Sequence, residues 1–330
     1  VFPRRPWTRA ARRRARFALA AVFVLLSAGI GAVPLFPYSS TDTTGPDHGA
    51  PAGPAPGPAY ADPRLAEIYR LTEPHGAVHV RRVDAGADEP ALVVGHPDRR
   101  EQMNALARDL PAATAAITEL WGRDWSRSPV VVIASTPDEF AALARVTDRL
   151  SAEVAAVSVA DPFPPGARPT GQRVVFGPDT AHRLDPAGLR TLLRHELTHI
   201  ATRAATVDGS PLWISEGFAE YVAHRGTTRS FAAIAPTLTA ELRAGSVPTD
   251  LPTDALFRSE RAATAYELAW AVCAYLAEKY GEQRLVALYR RLAAEVSTPT
   301  GLDTALHEVL GATRAAVLAE WRTWLTDRGH

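Results

Sequence analysis

The spacing of apolar and polar positions divides the chain into two halves of different character. Between Pro63 and about Asp185, short β-branched runs recur. AVHVRRV (77–83), ALVVG (91–95), PVVVIA (129–134), VAAVSVA (154–160) and RVVFG (173–177) read as strands. Helical spacing fills the gaps at 99–121 and 137–146, the second opened by Thr136-Pro137-Asp138-Glu139, a cap followed by an acidic first turn. Beyond Asp185 the strand pattern stops. Apolar positions then recur at helical intervals over 185–205, 210–225, 229–244, 261–280, 282–294 and 312–327. A mixed sheet followed by a helical body is an α+β arrangement, with a subdomain boundary expected between 63–184 and 185–330.

The N-terminal region follows different rules. Seven arginines and no acid fall within residues 1–16, and Phe17–Phe36 is an uncharged run long enough to cross roughly 30 Å of hydrocarbon. Residues 17–37 therefore read as a membrane-spanning segment or an export signal. Arginines on the N-terminal side orient it with the N-terminus in the cytoplasm and the body outside. The apolar run is longer than the usual signal core, and Pro34-Leu35-Phe36-Pro37 is a poor cleavage site, which favours a retained single-pass anchor over secretion after cleavage. Residues 38–62 form a spacer; six prolines and four glycines lie between Gly45 and Pro63.

Composition narrows the chemistry. The 330 residues are 46% apolar and 22% charged, the balance of a globular protein. The formal net charge is zero, but with the basic block set aside the body is net acidic, which argues against nucleic acid as its partner. A single cysteine, Cys273, excludes a disulfide framework and a thiolate metal site.

The chemical signal is His195-Glu196-Leu197-Thr198-His199 on the 185–205 helix, which Asp185 can cap and Pro186 can start. Histidines four residues apart lie one turn apart on one face and can share a zinc ion. An apolar stripe runs through Leu189, Leu192, Leu193, Leu197 and Ile200, opposite a polar arc of Arg190, Thr191, Arg194, Thr198 and Thr202. Glu196 falls inside the apolar arc, costly for a carboxylate unless it faces a polar cavity or a metal-bound water. For this motif alone, the competing reading is a pair of satisfied core histidines and a buried ion pair. A second helix is expected from Ser210-Pro211. With sixteen residues intervening after His199, a turn and an antiparallel return would bring Glu216 over the two histidines. Gly217 would let the helices approach closely, and Glu220, one turn on, would accept from the outer nitrogen of a ligand histidine. His182 and His224 read as solvated or structural. Trp270, Tyr275, Trp321 and Trp324 read as core.

HELTH followed by PLWISEGFAEY resembles the gluzincin metallopeptidases, in particular the membrane alanyl aminopeptidases and the bacterial peptidase MA-like domains, over residues 185–281. The resemblance implies a zincin-like fold with a helical catalytic subdomain, Zn2+ on His195, His199 and Glu216, and Glu196 as general base. It also implies peptide or protein substrates, an acidic second-layer group at Glu220, and Tyr266 as oxyanion donor. Hydrolysis would proceed by Glu196-assisted attack of zinc-bound water. In related zincins the substrate runs along an edge strand, here VAAVSVA or RVVFG. Three features depart from relatives. The amine-binding Gly-x-Met-Glu-Asn element is absent, the spacer to Glu216 is two residues shorter than usual, and Ala205 stands where the metzincins place a third histidine. The alternative is an inactive gluzincin-fold module that binds peptides or proteins without cleavage.

Overall fold

The computed structural model describes residues 62–147, 150, 153–164, 167–296 and 298–328. The basic segment, the 17–37 run and nearly all of the spacer lie outside the described residues. Among the described residues, no helix is long and apolar enough to cross a membrane.

Five strands form one mixed sheet: β1 (His79–Val83), β2 (Ala91–Gly95), β3 (Val130–Ile133), β4 (Ala156–Val159) and β5 (Arg173–Phe176), ordered β1-β2-β3-β5-β4. The central β2, β3 and β5 are parallel, and β1 and β4 run antiparallel at the two edges. All five lie within the runs expected from sequence. Alternation sorts the side chains onto two faces. Ala91, Val93, Val131, Ile133, Val174 and Phe176 enter one core, and Leu92, Val94, Val130, Val132 and Val175 enter the other. Both faces of the central strands are covered, which is why they read as continuous apolar runs. β1 carries Arg81 and Arg82 and stays at an open edge.

Leaving aside one-turn helices, those of the first half are α1 (Ala66–Thr72), α2 (Arg100–Trp121) and α3 (Pro137–Leu143); those of the second are α4 (Pro186–Thr202), α5 (Leu212–His224), α6 (Pro236–Arg243), α7 (Ala262–Tyr280), α8 (Glu282–Ala293), α9 (Pro299–Leu310) and α10 (Arg314–Arg328). α2 and α4 lie side by side on one sheet face, and α1 and α3 cover the other. From the α2–α4 face one apolar core continues through α5, α7 and α8 as far as Trp321 and Leu325.

One expectation is corrected, and two helices form where the periodicity assigned none. The 229–244 helix is broken at Ala235 into Phe231–Ile234 and α6, because Pro236 has no N–H to continue the ladder. α9 falls in a stretch to which the periodicity assigned no element, although the Thr298 hydroxyl accepts from Gly301 N at 3.0 Å beside Pro299, the same signal as Thr136-Pro137. α1, also unanticipated, is a short helix whose burial depends on Leu65 and Ile68 meeting the sheet.

Candidate metal centre

α4 starts where its sequence sets it: Asp185 Oδ1 accepts from Gly188 N at 2.7 Å and Pro186 opens the helix. The apolar stripe from Leu189 to Ile200 is buried against the sheet and α2. The polar arc does not stay open. Thr198 and Thr202 are buried too, since α5 covers the other side, and Thr198 satisfies its hydroxyl on Arg194 O at 2.8 Å. The second half of α4 is thus enclosed all round, carrying His195, Glu196 and His199.

α5 begins at Leu212, not at Ser210, and its first N–H is capped from a distance: Leu212 N donates to Asp254 Oδ1 at 2.9 Å. α5 runs back across α4 and rests on α7. A Cβ on Gly217 would lie 2.4 Å from Ala269 O and 2.9 Å from Cys273 Sγ. The absence of a side chain there seats Glu216 beside the histidines, as the sequence spacing requires.

His195 Nε2 and His199 Nε2 are 3.1 Å apart, and Glu216 Oε2 lies 3.4 Å from the first and 3.6 Å from the second. A tetrahedral ion with bonds of about 2.0–2.1 Å spaces its ligands roughly 3.3–3.4 Å apart. The triangle therefore fits one face of a zinc tetrahedron and leaves the fourth apex free. A second observation agrees. Glu216 is 1% exposed, and neither carboxylate oxygen has a hydrogen-bond donor among the described residues. A buried anion so placed needs a positive charge beside it, either a protonated imidazole or a metal ion. Two imidazoles and one carboxylate form the donor set of a catalytic zinc site, and among the described residues these three are the group able to hold a metal ion.

Glu220 backs this triangle. Its Oε1 lies 3.3 Å from His195 Nδ1 and its Oε2 lies 3.5 Å from His224 Nε2. Glu220 thus faces the outer nitrogen of His195, and Nε2 is the nitrogen on the side of Glu216 and His199. His224, read from sequence as solvated or structural, is a half-buried partner of Glu220 edge-on to Trp270. His182 is exposed. Trp270, Tyr275 and Trp321 are buried in the core, with Trp324 half-buried against it.

The charges show what the metal-free cluster lacks. Burial pushes the His195 imidazolium down, but Glu216 and Glu220 outweigh it and raise its pKa to about 10. Burial raises the Glu216 and Glu220 carboxyls; the surrounding imidazoles reverse this and hold both below the ordinary range. Without an ion, a proton on His195 supplies the positive charge. Burial also raises Glu196, against the pull of His195, His199 and the Ser158 hydroxyl. Tyr266, from α7, is 6% exposed with its ring edge-on to Phe257. Burial and then the charges of Glu216, Glu220 and Glu196 raise its phenol well above the usual value.

A cleft of about 440 Å3 opens beside His199. One wall is the outer strand, from Val157 into the turn at Asp161, and the other is formed by the ends of α4 and the start of α5. VAAVSVA, not RVVFG, is thus the edge at the site. Asp161 holds the strand's exit, with its N–H on Thr170 O, its carboxylate accepting from Thr170, and an ion pair to Arg145. Sequence reasoning missed Ser158, whose Oγ sits 2.6 Å from Glu196 Oε2. Its signal was the lone hydroxyl in an otherwise apolar strand.

No protein-family model matches the sequence, and comparison with curated proteins finds no match. Among solved structures, the chain is similar to a mutant M1 zinc metallopeptidase from Deinococcus radiodurans, at 18% identity and a TM-score of 0.44, covering 77% of this chain and 53% of that one. A two-domain M1 zinc metallopeptidase mutant bound to L-arginine aligns at 15% identity and a TM-score of 0.44, covering 77% and 52%. The chain spans about half the length of these structures.

Proposed function

We propose that the protein is a zinc-dependent metallopeptidase of the gluzincin type that hydrolyses peptide bonds. The observation that carries this is the triangle of His195, His199 and Glu216, with Glu196 on the same helix and a cleft at its side. When bound, zinc supplies Lewis acidity that favours ionisation of a nucleophilic water and polarises a carbonyl.

The chain's own residues do the rest. The helical part, 185–330, supplies the ligands, and the α/β part, 63–184, supplies the outer strand. A peptide in extended form pairs with the free edge of β4, whose main-chain groups bind any sequence. Glu196 takes the proton of the water as its oxygen attacks the carbonyl carbon, then returns it to the amine as the carbon–nitrogen bond breaks. Enclosure of Glu196 suits this role, since burial brings its affinity for a proton closer to the working range. The Tyr266 phenol, kept protonated by burial and nearby carboxylates, donates to the developing oxyanion. The basic block and the uncharged run that follows support a body held outside the cytoplasm by residues 17–37, or exported through them, acting on peptides there.

The test uses the full chain. One zinc per chain and cleavage of a mixed peptide library are expected, with Glu196→Gln lowering the rate by about 10²–10⁴-fold at unchanged zinc content. A chain without zinc overturns the reading. Zinc without any difference between the wild type and Glu196→Gln leaves a peptide-binding module.

A further inference from the structure

We propose that Ser158 is a positioning residue for Glu196, holding the base from the same strand that receives the substrate; this rests on the peptidase reading above. Ser158 Oγ lies 2.6 Å from Glu196 Oε2 and 2.9 Å from Glu196 O. A hydroxyl has one proton to give. The shorter contact, to the charged oxygen, has the length of a charge-assisted O–H···O bond. Among the described residues, Ser158 is the side chain that donates to this carboxylate.

The placement follows from strand geometry. Val157 and Val159 point to the face covered by α1 and α3, and Ala156 enters the core on the α4 side. Ser158 shares the Ala156 face, so its hydroxyl occupies a position that alternation reserves for apolar side chains. Ser158 is half-buried and lines the cleft, while a carboxylate in the apolar arc of α4 costs stability unless it finds a donor. The Ser158 hydroxyl supplies that donor.

The consequence concerns alignment. Glutamate has three rotatable side-chain bonds, and burial alone does not choose among its rotamers. With Oε2 committed to Ser158, the plane of the carboxylate is set and Oε1 is the oxygen left for proton transfer. Because β4 also forms the cleft wall, the peptide and the base are registered against one rigid element. The Ser158 contacts to Glu196 Oε2 and Glu196 O tie this part of α4 to that strand.

Ser158→Ala, Ser158→Thr and the double variant with Glu196→Gln test this in the full zinc-loaded chain. Ser158→Ala is expected to lower kcat by about 10- to 100-fold with KM within about twofold, since a misaligned base slows chemistry and not binding. Ser158→Thr, which keeps the hydroxyl on a residue suited to strands, is expected to restore most of the rate. Adding Ser158→Ala to Glu196→Gln is expected to cost nothing further, because the residue acts through the base. A crystal structure of Ser158→Ala should show the Glu196 carboxylate shifted or in more than one conformer. Unchanged kcat in the alanine variant, equal losses in the alanine and threonine variants, or an unmoved carboxylate overturns the proposal. If wild type and Glu196→Gln are equally inactive, the peptidase reading falls, and the carboxylate's position in the crystal still decides what Ser158 holds.

Discussion

Gly217 and Ala269 stand so close that a β-carbon on the glycine would fall 2.4 Å from the alanine's carbonyl oxygen. That contact seats the helix bearing Glu216 directly on the helix bearing Tyr266, and the obstacle is backbone, which cannot swing aside. Gly217→Ala is therefore expected to destabilise the fold by about 3 kcal/mol, the upper range for forcing a methyl into a closed core. It should also lower zinc content by moving Glu216 off the histidine pair. Thermal melting and metal analysis of the purified variant check both; a variant that melts normally with full zinc would show that the helices part without cost.

Glu220 lies behind His195 and outside the three-ligand triangle, so any effect it has on a bound ion passes through the imidazole. Glu220→Gln keeps the shape and loses the charge that fixes the Nδ1 side of the ring. Zinc affinity should fall by about 10- to 100-fold, measured by competition with a chelating dye, while the helical circular dichroism is unchanged. An unaltered affinity would leave Glu220 no part in the site.

The metal-free protein should depend on pH in a way the loaded protein does not. His195 is raised to about 10 from 6.5, so its contribution to stability is complete below 6.5 and fades as pH climbs toward 10. Glu216 and Glu220 are lowered from 4.5, so theirs is present above that value and disappears on acidification. Bound zinc replaces the His195 proton. The melting difference between zinc-loaded and chelator-treated protein is therefore expected to widen from pH 6.5 to pH 9. A constant difference across that interval would mean that the ion does not displace a proton.

Glu67 gives the fold an acid limit away from the centre. Burial works to raise its carboxyl, but Arg145 and Arg173 overcome this and hold it at about 2. A depressed carboxylate stabilises above its unfolded value of 4.5, and the contribution is lost as pH falls from there to about 2. The side chain is one-third exposed, so screening leaves on the order of 1 kcal/mol. Glu67→Gln should lower the melting temperature at pH 7 and flatten its fall between pH 4.5 and pH 2; a parallel downward shift at every pH would assign the loss to packing.

Much of this was legible along the chain. Strand positions followed from β-branched runs, α4 from Asp185-Pro186, and the candidate triangle from two histidines one turn apart and a glutamate on the next helix. The misses share one cause. Ser158 and Glu196 are 38 positions apart. Asp254 caps a helix that starts 42 residues earlier, and the Ser210-Pro211 signal, judged alone, set the start two residues too soon. His224, left open from sequence as solvated or structural, is resolved as structural only by its contacts with Glu220 and Trp270.

Periodicity, caps and the HELTH spacing are short-range properties, because rise and rotation per residue are constants of the backbone, and these named the elements and donor atoms of the site. Which strand lies outermost, which face of α4 is covered, and which carboxylates remain buried without a donor emerged only from packing. Such facts depend on which distant segments exclude water from each other, and no local pattern encodes that.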